Sequence, residues 1–105
     1  MLFKFEHVKM ILEGRKTQTR RTWKTPHVRR YHTYKAKTQM MSKEYFAKIK
    51  VLDVFQQRLG DMTCNDANEE GYDSIDSYKH AWERIFKRKW EPALYVWVIK
   101  FKVVG

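Results

Sequence analysis

Hydrophobic and polar positions alternate most regularly between Tyr45 and Gln57. Ala47, Ile49, Val51, Asp53 and Phe55 share one parity, and Phe46, Lys48, Lys50 and Leu52 share the other. A period of two over that length predicts a half-buried strand, with Ile49, Val51 and Phe55 inward. Residues 34–41 precede it across the turn Ser42-Lys43-Glu44, so the two runs read as a hairpin. Ala93 to Val104 is bulky on both parities (Leu94, Val96, Val98 against Tyr95, Trp97, Ile99), the pattern of a strand covered on both faces. Helical spacing appears twice. Phe5, Val8 and Leu12, flanked by Ile11, predict a helix over 5–13 that stops at Gly14. Ile75, Tyr78, Ala81, Trp82, Ile85 and Phe86 predict a core-facing helix, capped by Asp73 or Ser74 and running to about Lys89. A shorter helix over Met62–Glu70 would close at Gly71, and the β-branched run Thr17–Trp23 reads as a short strand.

The resulting order is helix, strand, hairpin, two helices, strand. In 105 residues that order predicts one α+β domain: a small β-barrel with helices packed outside it, so that sheet edges are covered. Nothing suggests a second domain, a repeat or a membrane span, and Lys4 and Glu6 interrupt any signal-like run at the N-terminus. The single cysteine, Cys64, excludes an internal disulfide, fits a reducing, cytoplasmic setting, and reads as a small buried apolar residue.

Charge changes the picture. The chain carries a formal net charge of +10, unevenly spread. Residues 1–50 hold fourteen Lys/Arg against three Asp/Glu, and residues 51–105 hold eight against nine. Segregated positive charge points to a polyanion, with nucleic acid the default; the plain alternative is a Lys-rich surface that aids solubility. The most basic stretch, Lys24, Arg29, Arg30, Lys35 and Lys37, is interleaved with His27, Tyr31, His32 and Tyr34. Cations beside rings suit phosphate contact with base stacking, and equally suit an edge hairpin with solvated cations.

Candidate chemistry is sparse. The four histidines have no metal-ligand spacing, and Walker A and dinucleotide fingerprints are missing, so neither metal nor cofactor is expected. What stands out is Gly14-Arg15-Lys16-Thr17-Gln18-Thr19-Arg20-Arg21, four cations and two hydroxyls without a carboxylate. A threonine attacks only when a base takes its proton, and a lysine is that base only when burial and neighbouring cations lower its pKa. On a regular strand Thr17, Thr19 and Arg21 share one face, so Lys16 and Thr19 meet only if the chain bends. A carboxylate to orient them would come from Asp66, Glu69 or Glu70. The structural alternative is that Lys16 and Arg21 pair with these acids and staple the helices to the barrel.

The pattern Gly14-x-Lys16-x-x-Thr19-x-Arg21 after a short helix resembles the signature of the ASCH domain family, and Asp66-Ala67-Asn68-Glu69-Glu70-Gly71-Tyr72 is similar to its acidic segment. The resemblance covers nearly the whole chain and implies a PUA-like β-barrel that binds RNA or a modified nucleoside. One branch of similar length comprises N4-acetylcytidine amidohydrolases. By motif position that branch implies Thr19 as nucleophile, Lys16 as its base and Glu70 as proton-transfer partner, with Arg21, Arg20 and Glu69 beside the ligand. Arg29 to Lys37 stand where many members carry a Gly-Asp turn, and these added cations, with Lys24, favour a polymeric RNA. A non-catalytic RNA-binding module and a ribonuclease on the same basic cleft are the alternatives.

Overall fold

The computed structural model describes residues 1–105 as a curled four-stranded antiparallel sheet with three short helices. In chain order these are α1 (Val8–Leu12), β1 (Gln18–Arg21), β2 (Thr33–Ala36), β3 (Ala47–Arg58), α2 (Cys64–Glu69), α3 (Ile75–Phe86) and β4 (Tyr95–Val104). The spatial order is β1-β4-β3-β2, so β4 is interior and pairs with both β1 and β3. Val96 and Val98 are buried on one of its faces, Ile99 and Phe101 on the other, as a strand bulky on both parities requires.

The sheet is a half-barrel, and the N-terminal segment occupies the gap between its two edges. Leu2 bridges Lys37 in parallel, Phe3 N donates to Lys37 O at 2.8 Å, and Lys37 N donates to Met1 O at 2.8 Å. On the β1 side there is no backbone ladder; the Arg21 guanidinium donates to Leu2 O at 2.6 Å instead. One core cluster (Phe3, Ile11, Ala36, Ala47, Ile49, Phe101) fills the curl. Another (Leu59, Met62, Ala67, Tyr78, Trp82, Val96) packs α2 and α3 on the opposite face.

Local signals account for the helices. Thr63 caps α2 in a reciprocal box with Asp66, and Ser74 caps α3 in one with Ser77. Gly71 follows α2 at φ +98°, where a Cβ would meet Met10 Sδ at 2.6 Å. The hairpin pairs Thr33 with Lys50 through Ala36 with Ala47.

Several expectations are corrected. The buried face of the first helical segment is His7 and Ile11, four residues apart; Phe5 is 83% exposed and Leu12 54%. A polar residue, His7, holds the inward position because the Tyr72 hydroxyl partners its ring. In β3 the register slips between Val51 and Asp53, leaving Leu52 as an extra residue. Parity inverts there, so Val54 joins the cluster of Val28, Val51 and Ile99, and Phe55 is not fully buried. The first hairpin strand stops at Ala36, and Cys64, at the start of α2, is exposed.

Candidate functional site

Between β1, the N-terminal segment and α3 lies a cavity of about 280 Å³. Lys16, Thr19, Arg20, Arg21 and Glu70 line it on one side, with Leu2, Phe3, Lys4, His7, Thr38, Tyr78, Ile85 and Phe86 completing the wall. Lys16 precedes β1 and forms a lone bridge with Glu70 at the end of α2. That bend brings Lys16 and Thr19 onto one cavity despite their odd spacing. Backbone bonds anchor the crossing: Thr17 N to Glu69 O at 2.6 Å and Phe101 N to Thr17 O at 2.9 Å.

The Lys16 ammonium is buried and fully committed. It donates to Glu70 Oε1 at 2.6 Å, Gln18 O at 3.0 Å and Glu70 O at 3.4 Å, which uses all three of its hydrogens. Burial lowers the Lys16 pKa most, Glu70 opposes that, and Arg21 and Arg20 reinforce it; the net direction is down. The other Glu70 oxygen accepts from Arg20 at 2.8 Å. Arg20 also donates to Gln18 Oε1 at 2.6 Å and to Gln57 Oε1 at 2.8 Å, and lies 3.6 Å from Asp66. The acids therefore pair with Lys16 and Arg20, not with Lys16 and Arg21. Alternation along β1 decides this, since Gln18 and Arg20 point the same way.

Arg21 has no carboxylate partner. Its guanidinium carbon sits 4.9 Å from the Phe3 ring centre and 5.8 Å from that of Trp23, and its buried Nε–H has no acceptor. Burial pushes its pKa down. Lys16 and Arg20 take up the Glu70 and Asp66 carboxylates, and Arg21 is left without one. Thr19 is buried, and its hydroxyl makes no hydrogen bond to the protein. Glu69 lies outside the cavity wall: it accepts from Gln18 Nε2, and from Asn65 at 3.3 Å.

Among the wall residues that the sequence did not mark as site candidates, His7 and Tyr78 are buried and polar. His7 Nε2 lies 2.8 Å from the Tyr72 hydroxyl, and burial first, then Lys16, Arg21 and Arg84, push its pKa down to about 3, so the imidazole is neutral. Tyr78 is held as a neutral phenol, its pKa raised by burial and then by the Glu70 charge. Helical spacing marked Tyr78 as core; nothing local in the sequence marks His7.

None of the five basic-stretch candidates lines the cavity. Lys24 and Arg29 are exposed. Arg30 pairs with Asp53, Lys35 lies 5.1 Å from the Tyr45 ring centre, and Lys37 donates to Ser42 O at 2.8 Å. No group of three or more His, Cys, Asp or Glu is placed to hold a metal ion, and no helix is long and apolar enough to cross a membrane.

No family model matches the chain, and no curated protein matches it. Solved structures do. An ASCH domain from Lactobacillus crispatus JV V101 is similar with a TM-score of 0.72 at 15% identity, over 91% of this chain and 69% of that one. A DUF984 protein from Enterococcus faecalis V583 is similar with a TM-score of 0.67 at 14% identity, over 94% of this chain and 67% of that one. At these identities the likeness is one of fold: the chain has the PUA-like fold of the ASCH domain.

Proposed function

We propose that the protein binds a nucleobase of RNA, or a modified nucleoside, in the cavity lined by Lys16, Thr19, Arg21 and Glu70. The observation that carries this reading is Arg21: a largely desolvated guanidinium at a cavity wall, without a carboxylate, with a buried N–H left unpaired. Such a group calls for an acceptor-rich ligand. The volume lies just below the roughly 300–1,000 Å³ of ligand pockets, which suits one heterocycle better than a longer chain. Phe3, Ile85 and Phe86 offer apolar walls, and neutral His7 and Tyr78 offer hydrogen-bonding groups without further charge. The fold of an ASCH domain agrees with an RNA-related ligand.

A second reading, hydrolysis of the N4-acyl group of cytidine, rests on the Thr19 hydroxyl lining the same cavity as a lysine whose pKa burial lowers. Lys16 would first pass a proton to Glu70 Oε1, 2.6 Å away, and Thr19 Oγ1 would then attack the acyl carbon while the freed amine takes its proton. Collapse of the tetrahedral adduct would break the carbon–N4 bond, and Lys16 would return the proton to the departing amine. Water would then cleave the threonyl ester and release the acid. In the ligand-free arrangement the Lys16 ammonium donates to three acceptors, so the lone pair that takes the Thr19 proton appears only once Glu70 has accepted a proton from it.

Calorimetric titration with cytidine and N4-acetylcytidine tests the first reading: binding is expected for the wild type and a loss of tenfold or more, about 1.4 kcal/mol, for Arg21→Gln. Absence of binding to nucleosides and RNA alike removes it. Chromatography of N4-acetylcytidine after incubation tests the second: the wild type should release cytidine and Thr19→Val should not. An untouched substrate leaves binding alone.

A further inference from the structure

The strand register sets four lysines into one uninterrupted cluster. Lys35 of β2 lies directly opposite Lys48 of β3, and Lys50 of β3 directly opposite Lys102 of β4. Lys48 and Lys50 are two residues apart on β3, before the register slips, so all four project from one face of the sheet. It is the face that α2 and α3 cover farther along β4. There Val96 and Val98 are buried, Lys100 is half-buried and Lys102 is exposed. The helices end and the lysines begin.

Like charges directly opposite on paired strands destabilise a sheet, and here two such pairs stand side by side. No carboxylate lies within 4.0 Å of any of the four ammonium groups. The nearby acid on β3, Asp53, is taken by Arg30, and none of the four ammonium groups forms an ion pair. Opposed side chains lie about 5 Å apart and successive ones along a strand about 7 Å apart. That is roughly the interval between phosphates along a single strand. At one end of the cluster the Tyr45 ring, 43% exposed, lies beside Lys35, a platform on which a base can stack.

We propose that this lysine cluster is a second binding surface, separate from the cavity, that holds the phosphate backbone of single-stranded RNA. It rests on the RNA reading above only for the kind of polymer. It makes the ligand a strand and not a free nucleoside, with affinity supplied on the sheet face and selectivity in the cavity.

The test is a fluorescence titration of labelled oligouridylate across a range of salt concentrations. For single strands each neutralised phosphate contributes about 0.7 to the slope of log affinity against log salt. The triple variant Lys48→Gln/Lys50→Gln/Lys102→Gln should therefore lose about 2 from that slope. Its melting temperature should hold or rise, because repulsion is relieved. The Lys→Arg triple variant should keep the wild-type slope. An unchanged slope in the glutamine variant overturns the proposal. So does loss of binding to phosphatidylserine vesicles in that variant while its RNA slope stays as in the wild type, which makes the face a membrane surface. Repeating the comparison in an Arg21→Gln background separates the two sites: the loss of about 2 persists there even if the cavity takes no base.

Discussion

The Lys16 ammonium and the Glu70 carboxylate lie 2.6 Å apart with both side chains out of water, and Arg20 holds the other carboxylate oxygen at 2.8 Å. One acid thus serves two buried cations, and the consequences of removing either partner differ. Glu70→Gln strands Lys16 without a carboxylate and leaves Arg20 only Asp66 at 3.6 Å. Breaking a buried pair in this way costs about 3–5 kcal/mol, a large share of the roughly 5–15 kcal/mol that holds a domain folded. Lys16→Met leaves Glu70 paired with Arg20 and should cost less, about 1–3 kcal/mol. The double variant should be more stable than Glu70→Gln alone, since the second change removes the stranded charge. Urea denaturation of the four proteins measures this, and simple additivity of the two losses would contradict it.

His7 gives the fold a pH dependence with a definite sign. Its pKa falls from 6.5 to about 3 on folding, so between those values the unfolded chain binds the extra proton. Its contribution to stability is complete above about pH 6.5 and is lost as pH falls through that window toward 3. Substituting His7 alone leaves every other titrating group in place, so the difference between variant and wild type reports on this ring. Thermal melts of the wild type and His7→Gln should show the wild type losing more stability on acidification through this window. Parallel curves would mean that the ring is not buried neutral.

Gly14 and Gly71 separate backbone strain from packing. Both have positive φ, +77° and +98°. A Cβ on Gly14 meets nothing within 4 Å, whereas one on Gly71 meets Met10 Sδ at 2.6 Å and Lys16 Cβ at 3.5 Å. Gly14→Ala should cost about 1–2 kcal/mol from strain alone. Gly71→Ala should cost more and disturb Glu70, the preceding residue. A Met10→Ala change beside it should recover part of the packing loss but none of the strain, as read by denaturation of the three proteins.

The sheet was legible in the sequence because bulk on both parities marks a central strand wherever it falls, and β4 carries it from Val96 to Phe101. Lys16, Thr19, Arg21 and Glu70 were legible as residue types, and the structure brings them to one cavity. Which arginine takes the acids was not, because that depends on how β1 alternates against α2. Leu52 hid because a bulge adds one residue to a run that still alternates in the sequence. His7 hid because its inward place depends on Tyr72, sixty-five positions away, and no local pattern carries such a partner. Cys64 is exposed because the capping box of Thr63 and Asp66 sets the first turn of α2, and this turn faces water.

Arg21 closes the barrel and faces the cavity at once, so its variants should split the two roles. Its donation to Leu2 O stands where a backbone ladder would otherwise join the N-terminal segment to β1, and its plane rests near Phe3. Lysine keeps the charge but loses the planar, multiply donating group. In Arg21→Lys the bond from Phe3 N to Lys37 O should open more often, because the segment is then held from the β2 side only. Hydrogen exchange at Phe3 should quicken, while amides in the interior of β4 keep their protection. Nucleoside binding should weaken in this variant although the charge is conserved. Full retention of binding with faster exchange would show that Arg21 serves the closure alone.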